Sequence, residues 1–169
     1  MNCFDVTRIL NSQGADESHL AAVLEVLHSK PVSILPKWHE GYTGAELSPR
    51  EVVSIILGAT ATNPREATAH VDNVATLERD DGYIFANVLT KIMQSIPGNI
   101  QVDELTINSD VATIRYTNGN IDTFSKGTPK AFRQATVISG CLLQAIAIQM
   151  QQSTTSGWSG WSVPREEED

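Results

Sequence analysis

Histidine and cysteine are the side chains of this sequence that could bind a metal ion or act as nucleophiles. The four histidines are His19, His28, His39 and His70, and the two cysteines are Cys3 and Cys141. No two histidines have the HxxxH or HExxH spacing that places a pair of imidazoles on one face of a helix. Two cysteines are too few for a disulfide framework or a zinc set, so we expect two reduced thiols and no metal site.

Clusters of carboxylates are the other candidates for chemistry. One cluster is Asp80-Asp81, and the other runs from Glu166 to Asp169. The first marks the end of a helical pattern and the second lies in a polar tail. Neither is therefore expected in the apolar cleft that acid–base catalysis by a carboxyl group requires. The GxSxG, Walker and GxGxxG patterns are also missing. The sequence predicts a protein that is not an enzyme and that binds no cofactor.

Charge and hydropathy narrow the classes of partner. The formal net charge of the chain is −8, which argues against a broad phosphate-binding surface, because such surfaces need clustered lysine and arginine. A small basic patch on one face is still compatible with this charge. No apolar run approaches the ~20 residues that span a bilayer, and no basic segment precedes an apolar one as in a signal peptide. We therefore expect a cytoplasmic protein without a membrane partner.

The densest local signals lie between Ser33 and Ala61. An apolar segment ends at Leu35-Pro36, and an exposed loop between two glycines follows it. The loop residues suited to recognition are Lys37, Trp38, His39 and Tyr42. A helix then begins at Ser48, because Ser-Pro-Arg-Glu supplies an N-cap, a proline at the first helical position and the glutamate of a capping box.

The same start signal recurs at Asn63-Pro64-Arg65-Glu66, and it predicts a second helix that continues to about Arg79. Apolar periodicity predicts further helices over about 4–13, 16–29 and 83–95. The period then changes to that of strands over about 100–107, 111–116 and 121–124, with a possible irregularity near Glu104. Asn118-Gly119 is a strong hairpin signal, so these strands should form a three-stranded meander. A long helix should begin after Pro129 and end near Gln152.

The pattern as a whole predicts an α+β fold that is mainly helical. We expect a helix-turn-helix-like unit with a wing loop over residues 1–62. A helical body with the three-stranded β-meander and the long C-terminal helix should follow over 63–152. The segment 153–169 is rich in serine, glycine, tryptophan and acid, which is typical of a flexible tail.

The order of elements in the first third of the chain resembles the winged-helix unit of MerR-type transcriptional regulators. The resemblance rests on two helices, the Ile34-Leu35-Pro36 segment, the Gly41-Tyr42 pair and the helix that begins Leu47-Ser48-Pro49-Arg50-Glu51. It implies a DNA-binding regulator, and a similar Leu-Ser-Pro-Arg-Glu helix in small prophage proteins suggests a phage or prophage origin. The residues that it would place at or near the wing, facing phosphates, are Lys37, His39, Tyr42 and Arg50.

Two departures keep another interpretation open. The helix that would read bases opens with Asp16 and Glu17 and has no arginine, and the wing has no run of arginines. The alternative is a non-enzymatic protein-interaction factor, such as a phage-encoded inhibitor or adaptor that binds a host protein. In that case the segment 33–61 is a helical cap with a surface loop, and Trp38 and Tyr42 serve packing.

The apolar residues of the last helix cover more faces than a three-stranded meander can bury. Such surplus apolar surface usually marks an interface, and two-fold pairing is the commonest form of self-association. We therefore expect a homodimer. Its predicted interface residues are Phe132, Ile138, Leu142 and Ile146.

Overall fold

The computed structural model describes residues 1–29, 34–35, 46–127 and 135–156, with side chains up to residue 153. The helices are α1 (Cys3–Ser12), α2 (Glu17–His28), α3 (Pro49–Ala59), α4 (Ala67–Ala75), α5 (Phe85–Gln94) and α6 (Gly140–Ser156). The strands are β1 (Val102–Ile107), β2 (Val111–Tyr116), β3 (Ile121–Ser125) and β4 (Thr136–Ser139). The described ranges therefore form an α+β fold, and this part of the prediction is confirmed. The described structure does not establish the predicted helix-turn-helix unit or its wing loop.

Helix α3 lies at the centre of the fold, and its start is the one that the sequence predicts. The Ser48 hydroxyl accepts a hydrogen bond from the Glu51 N–H at 3.3 Å, and the Glu51 carboxylate accepts one from the Ser48 N–H at 2.6 Å. This is the predicted capping box. Every residue from Val52 to Gly58 is buried. Because β-branched residues do not favour helices intrinsically, packing on all sides must stabilise this one.

The second start signal produces a different structure from the predicted helix. The Asn63 side chain accepts from the Arg65 N–H at 3.1 Å, two residues along, and this bond begins a 3₁₀ turn over Pro64–Glu66. The α-helix begins only at Ala67 and ends at Ala75, short of Arg79. It ends early because the chain at Glu78 forms isolated β-bridges with Ile84 and Ser125.

The sheet is antiparallel throughout, in the order β3-β2-β1-β4. The β1-β2-β3 meander is the predicted one, and Gly119 in its second turn has a φ of 85°, which favours glycine. The pairing of β1 with β2 shifts register between Val102 and Glu104, where the sequence predicted an irregularity. Such a bulge bends the strand and increases its twist.

A fourth strand replaces the first part of the predicted C-terminal helix. Residues Thr136 to Ser139 pair with β1, and Ile138 lies opposite Leu105. The predictions of a three-stranded sheet and of a helix over this segment are therefore wrong. Thr-Val-Ile is a β-branched run that suits a strand. The helix instead begins at Gly140, and it continues to Ser156, four residues into the predicted tail. Residues 157–169 lie outside the described ranges.

The change from β4 to α6 happens without a loop because Gly140 has no side chain. A Cβ atom at Gly140 would lie 1.8 Å from the Val102 carbonyl oxygen and 2.7 Å from its carbon. The Ser139 hydroxyl accepts from the Leu142 N–H at 3.4 Å and caps the new helix. The backbone of β1 at its bulge and the start of α6 are thus in direct contact.

One hydrophobic core joins the helices to the inner face of the sheet. Its buried residues run from Met1 to Ala147 in α6, so residues 1–62 and 63–152 share it. Phe85 and Phe124 pack within it, with ring centroids 5.2 Å apart. Edge-on and tilted aromatic pairs of this kind add to the stability that burial provides.

Arg79 connects the chain after α4 to the sheet through ion pairs. Its guanidinium binds both carboxylate oxygens of Asp81 at 2.8 and 2.7 Å, and it contacts Asp122 of β3 at 2.6 Å. It also lies 4.8 Å from the ring centroid of Tyr83. Asp122 accepts a second hydrogen bond from the Tyr116 hydroxyl at 2.8 Å. Burial and this bond raise the pKa of Tyr116 to about 12.

We predict that Gly140→Ala strongly destabilises the protein, because the new methyl group would overlap the Val102 carbonyl. The free energy of unfolding should fall by about 3 kcal/mol or more. Gly98→Ala is the matched control, since no atom lies within 4 Å of a Cβ at Gly98, and it should change stability by less than about 0.5 kcal/mol. Urea denaturation measures both. Equal midpoints for the two variants would show that the contact at Gly140 is not required.

Candidate functional site

A groove with a volume of about 660 Å³ separates the sheet from the helices beside β4. All four residues of β4, Thr136 to Ser139, line it. Successive side chains of a strand point to opposite faces, so a cavity that meets four consecutive residues lies along the edge of the strand. Strand β4 is last in the sheet order, and within the described ranges no strand pairs with its outer edge. We call this cavity the edge groove.

Three helices form the apolar floor of the edge groove. Leu10 comes from α1, Ile56 and Ala59 from α3, and Leu142 from α6. Leu10, Ile56 and Leu142 are almost completely buried, with 4, 0 and 7% of their surfaces exposed. They belong to the core of the fold, so the floor is formed by packed side chains that are held in place by neighbouring elements.

A smaller cavity of about 420 Å³ adjoins the groove at the Thr136 end of β4. The two cavities share four residues, which are His19, Ala59, Thr60 and Thr136. The smaller one is also lined by His70 and by Ile107, the partner of Thr136 across the β1–β4 ladder. The imidazoles of His19 and His70 therefore lie at one end of a continuous groove.

The hydrogen bonds of Thr60 show which atom carries the proton of His70. The Thr60 hydroxyl lies 2.7 Å from the Leu57 carbonyl oxygen and 2.8 Å from Nε2 of His70. A carbonyl can only accept, so the hydroxyl donates its single hydrogen to Leu57, and Nε2 of His70 must donate to the hydroxyl. His70 therefore does not act as a base toward Thr60, as it would have to in a nucleophilic pair. Burial lowers the pKa of His70 below its ordinary value.

Three carboxylates also line the groove, one beside His19 and two near the Ser139 end of β4. Asp16 accepts from the His19 N–H at 2.7 Å and caps α2, as the sequence predicts. Asp103 and Glu104 both bind Arg115, at 2.9 and 3.0 Å. Glu104 lies opposite Ser139, so this pair of acids marks the Ser139 end of β4. Neither cavity has a lysine or an arginine among its described lining residues.

The residues predicted to contact DNA are not brought together in the described ranges. Lys37, His39 and Tyr42 lie outside these ranges. Arg50 is exposed in the first turn of α3 and lines a separate cavity of about 620 Å³, together with Glu51 and Asp72. In helix α2, the exposed residues are Glu17, Ser18, Ala21 and Glu25. The described surface of the helix that would read bases is therefore acidic.

The predicted interface residues belong to the interior of the single chain. Ile138 and Leu142 are 7% exposed and Ile146 is fully buried, while Phe132 lies outside the described ranges. A second copy would have to meet their exposed neighbours instead, such as Val137 and Ile148, which are 60 and 44% exposed. The homodimer itself stays a prediction.

The described residues form neither a metal site nor a membrane-spanning helix. Across the described residues, no group of three histidine, cysteine, aspartate or glutamate side chains is placed to hold a metal ion. None of the helices in the same ranges has the length and apolar character needed to cross a bilayer. Comparison with protein-family models, with curated proteins and with solved structures found no match to this chain.

The sequence contained a signal for β4, the strand that lines the groove. We had interpreted this segment as part of a helix over 130–152. Thr136-Val137-Ile138 is a β-branched run followed directly by glycine. Such a run is typical of a strand. Nothing local indicates which strand it pairs with, because its partner Leu105 lies 33 positions earlier in the chain. The position of β4 at the edge therefore could not be predicted.

We predict that acidification destabilises the protein through His70. Because the pKa of His70 is lowered from 6.5 in the folded chain, the unfolded chain binds the proton first as the pH falls through 6.5. Stability contributed by the neutral imidazole is thus present above this pH and is lost below it, down to the folded pKa. His70→Gln should lose less stability over the same range. NMR titration of the ring gives the folded pKa directly, and a midpoint at or above 6.5 would contradict the prediction.

Proposed function

We propose that this chain is a non-enzymatic protein-interaction factor that binds an extended segment of a partner protein in the edge groove. The observation that carries the proposal is the lining of the groove by all four residues of the edge strand β4. An edge strand offers unpaired backbone N–H and C=O groups. An extended peptide that adds to the sheet can satisfy them, and the adjoining groove can receive its side chains.

The dimensions of the site suit such a segment. A strand of four residues is about 13 Å long, which is enough for a peptide to form a short ladder with β4. On the inner side, alternate side chains of the peptide would meet the floor of Leu10, Ile56 and Leu142. On the outer side, the others would lie beside Val137, which is 60% exposed. Main-chain bonds would supply affinity, and the apolar floor would supply selectivity.

The chemistry of the site supports binding over catalysis. In the smaller adjoining cavity, the proton shared by His70 and Thr60 lies on the histidine nitrogen that faces the hydroxyl. Among the acids of the groove, Asp16 caps a helix, and Asp103 and Glu104 form ion pairs with Arg115. We therefore retain the prediction that the protein is not an enzyme. Its location in the cytoplasm likewise stays a proposal.

A DNA-binding regulator is the second candidate, and the exposure of Arg50 favours it. Arg50 lies in the first turn of α3, where the N–H groups of a helix attract phosphates, and in the sequence it follows Lys37, His39 and Tyr42. The acidic exposed face of α2 favours the first candidate instead. The two functions use different surfaces, so one set of variants separates them.

The test is selection of displayed random peptides about ten residues long, enough to cover a short strand. Selected peptides should perturb the amide NMR signals of Thr136 to Ser139. Ala59→Trp fills the groove and should weaken binding about tenfold or more, a loss of about 1.4 kcal/mol. Ala21→Trp, at an exposed position of α2 outside the groove, is the matched control and should bind as the parent does.

A gel shift with a random-sequence duplex at low salt completes the test. Peptides that bind elsewhere, or none at all, would contradict the interaction factor. Retardation of the duplex by the parent, lost in Arg50→Glu with the fold intact, would support the regulator instead. Thermal melts of all variants show whether each one folds.

A further inference from the structure

We infer that the segment held in the edge groove is basic, with lysine or arginine next to the Ser139 end of β4 and apolar side chains at alternate positions. This inference rests on the proposed function and specifies the chemistry of the partner. It follows from the distribution of charge around the groove and from the geometry of strand addition.

The lining of the groove is asymmetric in charge. Asp16, Asp103 and Glu104 contribute three carboxylates, and no lysine or arginine is among the described lining residues. Arg115 pairs with Asp103 and Glu104, so two negative charges remain when it is counted. Negatively charged groups of a partner would be repelled here, whereas positively charged groups would be attracted. The lining thus selects against acidic peptides and against nucleic acid.

The acids also fix where the cations of the partner lie. Glu104 is opposite Ser139 on the β1–β4 ladder, whereas the histidine-lined cavity adjoins Thr136 at the other end. Thr136 and Ser139 are separated by about 10 Å, the rise of three residues in a strand. A peptide paired with β4 would therefore place its basic residues beside Glu104 and its polar end beside His19 and His70.

The alternation of apolar residues follows from strand geometry. A peptide strand added to β4 continues the pleat, so every second side chain points to the helical side. The groove there has the apolar floor formed by Leu10, Ile56, Ala59 and Leu142. An apolar side chain buries area against this floor, while a polar one would lose its hydration without a described partner.

The test uses three synthetic peptides that share one alternating apolar–threonine core. They end in two arginines, two glutamines or two glutamates, and fluorescence anisotropy measures their affinity. The arginine peptide should bind about tenfold more tightly than the glutamine peptide at low salt, and the glutamate peptide should bind weakest. Raising the salt from ~0.05 M to ~0.5 M should remove most of this preference, because exposed charges are then screened.

Two charge variants locate the effect in the groove. Glu104→Gln removes the carboxylate opposite Ser139, where the basic residues of the peptide are placed, and Arg115 keeps Asp103 as a partner. It should lower the affinity for the arginine peptide about two- to fivefold, as expected for an exposed ion pair. Glu25→Gln removes the same charge from an exposed position of α2 outside the groove, and it should have no such effect.

The outcomes separate this inference from the proposed function. If the glutamine peptide binds in the groove as tightly as the arginine peptide, the groove binds peptides without regard to charge and this inference is wrong. Binding of the arginine peptide that persists in Ala59→Trp would show attraction to the acidic surface in general, which also overturns it. If no peptide perturbs the amides of Thr136 to Ser139, the proposed function itself fails.

Discussion

The contact between Gly140 and the carbonyl of Val102 determines how the two layers of this fold meet. With only a hydrogen at this position, the backbone of α6 can begin directly where β4 ends, against the bulge of β1. Helix α6 then packs back over β1, and its residues Leu143 and Ile146 enter the core. Strand β4 is left at the edge of the sheet. The groove beside it is a consequence of this arrangement, because this edge faces helices and is paired with no strand of the described ranges.

The sequence predicted the parts of the fold that depend on interactions between near neighbours. The capping box of Ser48, the N-cap of Asp16 and the hairpin at Asn118-Gly119 all involve groups within a few residues of each other. Their side chains carry enough information to specify the local backbone. Predictions failed where distant segments compete with local preference. The bridge between Glu78 and Ser125 ends the fourth helical segment early, and Leu105 recruits Ile138 into a strand.

The candidate site was beyond prediction for the same reason. Its lining comes from α1, the turn before α2, the end of α3, the bulge of β1, the whole of β4 and the start of α6. Only tertiary packing brings these distant segments together. The ion pairs also combine near and distant residues, since Arg79 binds both its neighbour Asp81 and the distant Asp122. By contrast, the predicted contacts Ile138, Leu142 and Ile146 were recognised correctly as apolar, but the core of the chain itself buries them.

Amide hydrogen exchange of the free protein shows whether the outer edge of β4 is open. Along β4, the N–H groups that face β1 should exchange slowly, while those that face the groove should exchange faster, because no strand in the described part of the chain bonds with them. We therefore expect alternating protection across Thr136 to Ser139. Uniformly strong protection of these residues would show that the edge is already covered and that it cannot receive a peptide strand.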